Sequence, residues 1–331
     1  MKQVGNEVFA QYDISIKKIQ YSRSNYYLDT KQGQLLLRKT LIPKEQIVFE
    51  HEVTQQLLEK GFSEINKIYL SKKQVPYGAC LDKCFILQAY DKMTEIDFAN
   101  QKELKAIIEV LARFHVAANH IESKVRDIDS VGPKNIYEYF QKRMLDAKRM
   151  KKKISGFSQK TKFEIMFLDS YKAYEGLQYK AIDLVTHDIA DRLIEKAKVN
   201  KTILHNDFTY HAVGKIDETT YKITNLDNCT YNIQLLDLAN VLTKIMQKNN
   251  WDINMLDYLI NSYTRIHTLE QEEIRALKAM LIFPEKYSNI CFKYATSKHR
   301  NNYSMFEHKW ENMLVYKEDQ IRASEELIKY L

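Results

Sequence analysis

The chain has 331 residues, 45% hydrophobic and 28% charged, with a formal net charge of +7 and only 8 Gly and 4 Pro. That is enough apolar material for more than one core unit, and the scarcity of Gly and Pro favours long helices. No stretch approaches the roughly 18 apolar residues of a membrane span, the N-terminus MKQVGNEVFAQYDISIKK lacks the apolar core of a signal peptide, and Cys80, Cys84, Cys229 and Cys291 have no framework spacing, which indicates reduced thiols in a cytoplasmic compartment.

The first elements read as short strands around one helix. Tyr26-Tyr27-Leu28 and Gln34–Lys39 flank the polar turn Asp29–Gly33, a hairpin that sends Leu35 and Leu37 to one face and Leu36 and Arg38 to the other. Ile47–Lys60 reads as a helix, with Phe49, Val53 and Leu57 at helical spacing and Gly61 as its stop. Lys67–Leu70 and Cys84–Ala89 are strand candidates, with Leu-Asp-Lys between Cys80 and Cys84 as a turn. From about Asp97 the pattern becomes helical. Glu103–His120 is amphipathic, and further helices are predicted over 135–153, 160–179, 183–198, 237–247, 252–265, 269–281, 284–296 and 308–330. One strand-rich interruption runs from Thr202 to about Cys229. The order predicts an α+β chain divided into 1–91 and a helical part 92–331 with an insert near 202–229. Such an order suggests a small molecule clamped between two lobes.

Gln141–Lys153 reads QKRMLDAKRMKKK. Such a run can meet nucleic acid, an anionic surface or acidic proteins, and its simplest reading is a solvated helix face. The run carries no interleaved aromatic residues, which weighs against nucleic acid.

The insert holds the chemistry. It reads His205-Asn206-Asp207-Phe208-Thr209-Tyr210-His211-Ala212, then Thr224-Asn225-Leu226-Asp227, and later Leu236-Asp237-Leu238-Ala239. Phosphoryl transfer needs a base near the acceptor hydroxyl and oxygen ligands for Mg²⁺. A loop Asp, a side chain five residues on and a carboxylate on the next strand can supply them. His115 reads as a core histidine, and a His-plus-Asp metal site from His205, Asp207 and His211 is an alternative for the loop.

These stretches resemble the aminoglycoside phosphotransferase/choline kinase superfamily. Together with Leu236–Leu242, Lys244-Ile245-Met246, Phe283–Tyr287 and the lysine- and aromatic-rich Tyr137–Phe167, they resemble most the CotS-type spore coat proteins of endospore-forming bacteria. The resemblance covers essentially the whole chain. It implies a protein-kinase-like two-lobed fold, a small antiparallel-sheet N-lobe joined near Gln88–Asp91 to a large helical C-lobe. It implies Asp207 as the catalytic-loop carboxylate with His205 as its structural neighbour, Asn225 and Asp227 at metal-binding positions, and Asp237 as a helix-starting brace of the loop. It places Arg38, Glu50, Leu87, Gln88 and Tyr90 at nucleotide-binding positions, with ATP and Mg²⁺ as the cofactors.

The chain departs from that pattern at telling places. Ala212 stands where a metal-binding Asn is expected, Asn225 where an Asp is expected, and Arg38 where a Lys is expected. The Ser22-Arg23-Ser24-Asn25 loop has no glycine with which to cradle phosphate. The implied function is a degenerate kinase-like protein, made in the mother-cell cytoplasm and laid onto the spore coat as a structural or interaction component beside other coat proteins. One rival is an active ATP-dependent phosphotransferase acting on a small-molecule or protein hydroxyl. Another, resting on the basic run alone, is a nucleic-acid-binding module.

Overall fold

The alternation around Leu35 and Leu37 becomes the centre of a six-stranded sheet in the computed structural model, which describes residues 2–126, 133–209, 211–297 and 303–329. Strand β2 (Asn25–Thr30) pairs antiparallel with β3 (Gly33–Thr40), setting Tyr26 opposite Leu37 and Leu28 opposite Leu35. Gly33 closes the turn at φ +111°, a region open to glycine. Strand β6 (Lys83–Ala89) lies on the other side of β3, and β4 (Ile68–Tyr69) and β5 (Gly78–Cys80) share the far edge of β6.

Two elements of this sheet region were not expected from the sequence. Strand β1 (Ile16–Ser22) pairs with β2 through the tight turn Ser22–Asn25, in which Arg23 and Ser24 both take positive φ without glycine. Helix α1 (Lys2–Phe9) is a second helix beside the sheet, where one was predicted. Val8, Phe9 and Tyr12 cover the face formed by Tyr26, Leu28, Leu35, Leu37, Phe85 and Leu87.

Helix α2 (Lys44–Glu59) buries Ile47, Phe49, Glu50, Val53 and Leu57. It stops where Gly61 takes φ +83° and Phe62 N–H returns to the Leu57 carbonyl. Helix α3 (Gln101–Ala117) starts on Asn100, whose side chain accepts from the Lys102 and Glu103 amides. The insert forms four short strands, β7 (Ile203–Leu204), β8 (Val213–Lys215), β9 (Tyr221–Ile223) and β10 (Thr230–Tyr231), paired β8 with β9 and β7 with β10.

Internal contacts divide the chain into Met1–Gly132 with Lys198–Gln234, and Pro133–Ala197 with Leu235–Leu331. Residues 92–126 and the insert therefore group with the sheet in the first unit. The reason lies in the segment after β6. Thr94 exchanges two backbone hydrogen bonds with Lys215 of β8, at 2.8 and 3.0 Å. Lys222 of β9 donates to Asp91 at 2.7 Å and to Asn66 at 2.9 Å. Met93 lies directly on Gly214, so that a Cβ at 214 would sit 2.6 Å from the Met93 Cβ. Gly214→Ala is expected to destabilise the protein by about 1–3 kcal/mol, the usual cost of overpacking against a main-chain-anchored neighbour. An unchanged urea midpoint would mean that the Met93 segment is free to move away.

The second unit is helical among its described residues: α4 (Ile136–Ser155), α5 (Lys162–Leu184), most of α6 (His187–Val199), α7 (Leu235–Lys248), α8 (Ile253–Thr264), α9 (Gln271–Ile282) and α10 (Glu285–Thr296). The single C-terminal helix predicted over 308–330 is two, α11 (Tyr303–Leu314) and α12 (Lys317–Lys329). An aromatic cluster of Phe163, Phe167, Tyr174, Tyr287 and Trp310 centres this unit. No helix among the described residues is long and apolar enough to cross a membrane.

Candidate functional site

Because Leu35 and Leu37 turn toward α1, Arg38 faces the other side of the sheet, opposite Asn25 on β2 and Ile86 on β6. There each of its guanidinium nitrogens makes a hydrogen bond. Nε donates to Gln88 Oε1 at 3.0 Å, Nη1 to Asp227 Oδ1 at 2.6 Å and Nη2 to Glu50 Oε1 at 2.6 Å. Helix α2 supplies Glu50 one turn before Val53, on its buried face. Burial alone would disfavour the charged guanidinium, but Glu50 and Asp227 outweigh it and hold the Arg38 pKa above its ordinary value. Burial pushes the Glu50 carboxyl up; Arg38 pulls it down and the Asp227 charge pushes it up again. Glu50 Oε2 is buried and accepts no hydrogen bond from a described residue. All of these residues belong to the first unit.

Asp227 follows β9. Two residues before it, Asn225 takes φ +63°, a left-handed conformation that Asn tolerates better than most residues. The Asn225 amide faces Asp227 with its nitrogen, since an oxygen there would meet only acceptors, and it donates to both carboxylate oxygens at 3.0 and 2.7 Å. Asp227 thus accepts from an amide and a guanidinium.

The loop His205–Ala212 lies against the same segment. His205 is fully buried; its Nε2–H donates to the Thr224 carbonyl at 3.1 Å, and its Nδ1 accepts from the Asp207 amide at 3.3 Å. Both ring nitrogens are then used, which corrects the His205–Asp207–His211 metal alternative: His205 has no lone pair to offer. Asn206, at φ +66°, donates to the Asn228 carbonyl at 3.2 Å. Asp207 is exposed. Ala212 accepts from the Thr224 amide at 2.7 Å and brings only a buried methyl group to the position. Tyr210 lies outside the described residues.

The remaining positions fall in different places. Gln88 shares the Arg38 face, whereas the Leu87 side chain belongs to the cluster under α1. The Tyr90 ring meets Tyr27 edge-on at 4.9 Å. The Ala89 and Tyr90 amides donate to the Lys67 and Gln34 carbonyls. Asp237 is buried in the first turn of α7, in the second unit, where a carboxylate complements the unpaired amides of a helix start. His115 is fully buried on α3. Sequence reasoning missed Tyr27, which follows from the pleat once Arg38 is fixed. It also missed Asp91, Asn66 and Lys222, whose separation along the chain leaves no local signal.

The donor set does not make a divalent-metal site. No group of three or more His, Cys, Asp or Glu side chains suited to a metal occurs among the described residues. Asp227 is the only carboxylate of the Ala212–Asn225–Asp227 set, and its lone pairs already receive Arg38 and Asn225.

Residues 5–327 match the family described as "Spore coat putative kinase YutH". Spore coat protein S of Bacillus subtilis is 21% identical over 343 aligned positions, which cover 96% of this chain and 92% of that relative. Among solved structures, an aminoglycoside phosphotransferase from Alicyclobacillus acidocaldarius superposes with a TM-score of 0.84 at 16% identity, covering 98% of this chain and 95% of that one. A spectinomycin phosphotransferase in complex with ADP and spectinomycin superposes with a TM-score of 0.62 at 15% identity, covering 97% and 98%. At such identities the likeness establishes a kinase-like α+β fold.

Proposed function

The chain belongs to a spore coat family of kinase-like proteins, and from that premise we propose that it is a degenerate kinase, a structural or interaction component of the coat without phosphotransfer activity. The observation that carries this reading is the state of Asp227. In a working phosphotransferase a carboxylate at this point would face a metal bridging the phosphates. Here both of its oxygens already accept hydrogen bonds, Oδ1 from Arg38 Nη1 and the pair from the Asn225 amide. Each guanidinium nitrogen of Arg38 in turn already donates to Glu50, Asp227 or Gln88, and the two carboxylates beside it oppose the approach of a phosphate. Two carboxylates against one guanidinium also leave the network without positive charge to attract a triphosphate.

In this reading Asp207 and His205 keep the form of a catalytic loop, and Leu87, Gln88 and Tyr90 keep the strand end where a nucleotide base would lie. ATP with Mg²⁺ is then not a required cofactor. The protein is made in the mother cell, and other coat proteins are its partners.

A thermal-shift measurement with ATP, with and without Mg²⁺ or Mn²⁺, tests the proposal, because a ligand of the native state raises the melting temperature. The expected result is no metal-dependent rise. A clear rise with ATP and metal, joined to turnover that Asp207→Ala abolishes, would establish the active phosphotransferase instead.

A further inference from the structure

The positive charge of this protein is concentrated on one helix. Residues 141–153 hold seven Lys and Arg and one acid, Asp146, a net +6 within a chain whose formal charge is +7. On α4, Lys142, Arg149, Lys151, Lys152 and Lys153 are exposed, with the Arg149 side chain 79% accessible. Arg143 is different: its guanidinium lies over the Phe292 ring at 4.1 Å and is part of the packing. Lys152 and Lys153 sit in the last turn, where cations offset the helix dipole. The dipole gives no reason for Lys142 and Arg149, which lie about three turns and one turn further back and fall with Lys153 on one stripe at helical spacing.

Two features make this stripe a docking face. Leu145 lies between Lys142 and Arg149 and is 47% exposed, an apolar side chain set among cations. The neighbouring helix α5 takes up two lysines that lie off the stripe: Lys148 donates to the Tyr179 hydroxyl at 2.7 Å, and the Lys151 ammonium stands 4.1 Å from the Tyr171 ring centroid. Asp146, the one acid of the run, is shared between the inward Arg143 at 3.4 Å and Arg149 at 3.9 Å, so it offsets at most one of the cations.

We propose that this face of α4 binds an acidic segment of a partner protein, with Leu145 as the apolar contact at its middle. It goes beyond the reading of the Asp207 loop and does not depend on it. A protein segment fits better than the other anionic classes. Single-stranded nucleic acid binding would use open aromatic faces, but Tyr171 is buried and the ring of Tyr179 already carries Lys148 at 4.9 Å. Insertion into a lipid surface would call for an apolar stripe, and this one has a single leucine.

The test uses the full chain and a fluorescein-labelled polyglutamate peptide with one central leucine, followed by anisotropy over a salt series. Binding is expected to weaken as salt rises. It should fall about tenfold in Lys142→Ser/Arg149→Ser/Lys153→Ser, the loss expected of several exposed charge pairs together. Leu145→Ser should weaken it further, with the melting temperature of each variant unchanged because all four side chains are on the surface. Equal binding by the triple variant, or no effect of Leu145→Ser, would overturn the proposal. So would tighter binding to duplex DNA or to phosphatidylglycerol vesicles than to the peptide at the same salt.

Discussion

Ala212→Asn combined with Asn225→Asp is expected to make the melting temperature depend on Mg²⁺, where that of the wild type does not. In the wild type Asp227 is satisfied without metal, by Arg38 at 2.6 Å and by the Asn225 amide at 3.0 and 2.7 Å. Changing that amide to a carboxylate turns an attraction into a repulsion across the same distance. Two carboxylates so close must take up a proton or a cation. Asp keeps the left-handed backbone accessible at position 225, so the change is electrostatic and not conformational. Asn at 212 adds an oxygen donor where the wild type has a methyl group. Filling the site to about a hundred times its Kd would stabilise the variant by about 2.7 kcal/mol, a shift of several degrees in a chain of this size. ATP turnover is a separate matter. Wild type is expected to match an Asp207→Ala control, and the double variant can gain metal without gaining turnover, since Arg38 is still committed to Glu50. A Mg²⁺-dependent shift already present in the wild type would contradict the closed Asp227 site as the reason for inactivity.

What was legible in the sequence was whatever has a period. Leu35 and Leu37 fixed the pleat and hence the side on which Arg38 projects. The spacing of Phe49, Val53 and Leu57 marked helix α2 and its buried face; Glu50, picked out only by the resemblance, lies on that face. The elements missed are those without a pattern. Helix α1 is eight residues long, too short to establish helical periodicity. Strand β1 reads IKKIQYS and is exposed or half-exposed throughout, so it has no apolar alternation to find. The break between α11 and α12 falls at Val315 and Tyr316, without Gly or Pro to mark it. The substitutions at Ala212 and Asn225 are visible in the sequence, but their consequence is not. That Asn225 presents nitrogen and not oxygen to Asp227 follows only from where Arg38 and the carboxylate already stand. The junction of Asp91 and Asn66 with Lys222 is likewise a tertiary fact, and it decides which unit the insert joins.

Arg38→Met should be the most damaging single change at this site, at about 3–5 kcal/mol, because it strands Glu50 and Asp227 together without their cation. Glu50→Gln should cost far less, and its cost should depend on pH. Burial raises the Glu50 carboxyl from 4.5 to about 7 against the pull of Arg38. Between those two values the folded protein holds a proton that the unfolded chain has released. The stability this group contributes is therefore complete below the unfolded value and is lost as pH rises through the folded one. Glutamine does not titrate. The stability of wild type minus that of Glu50→Gln, from urea midpoints, should fall between about pH 5 and about pH 8, by on the order of 3 kcal/mol at most. Arg38 keeps Asp227 and Gln88 in that variant, so no bare guanidinium complicates the comparison. A difference that stays flat across this range would mean that Glu50 is ionised throughout. Arg38 would then be held by two full negative charges, and both would repel an approaching phosphate.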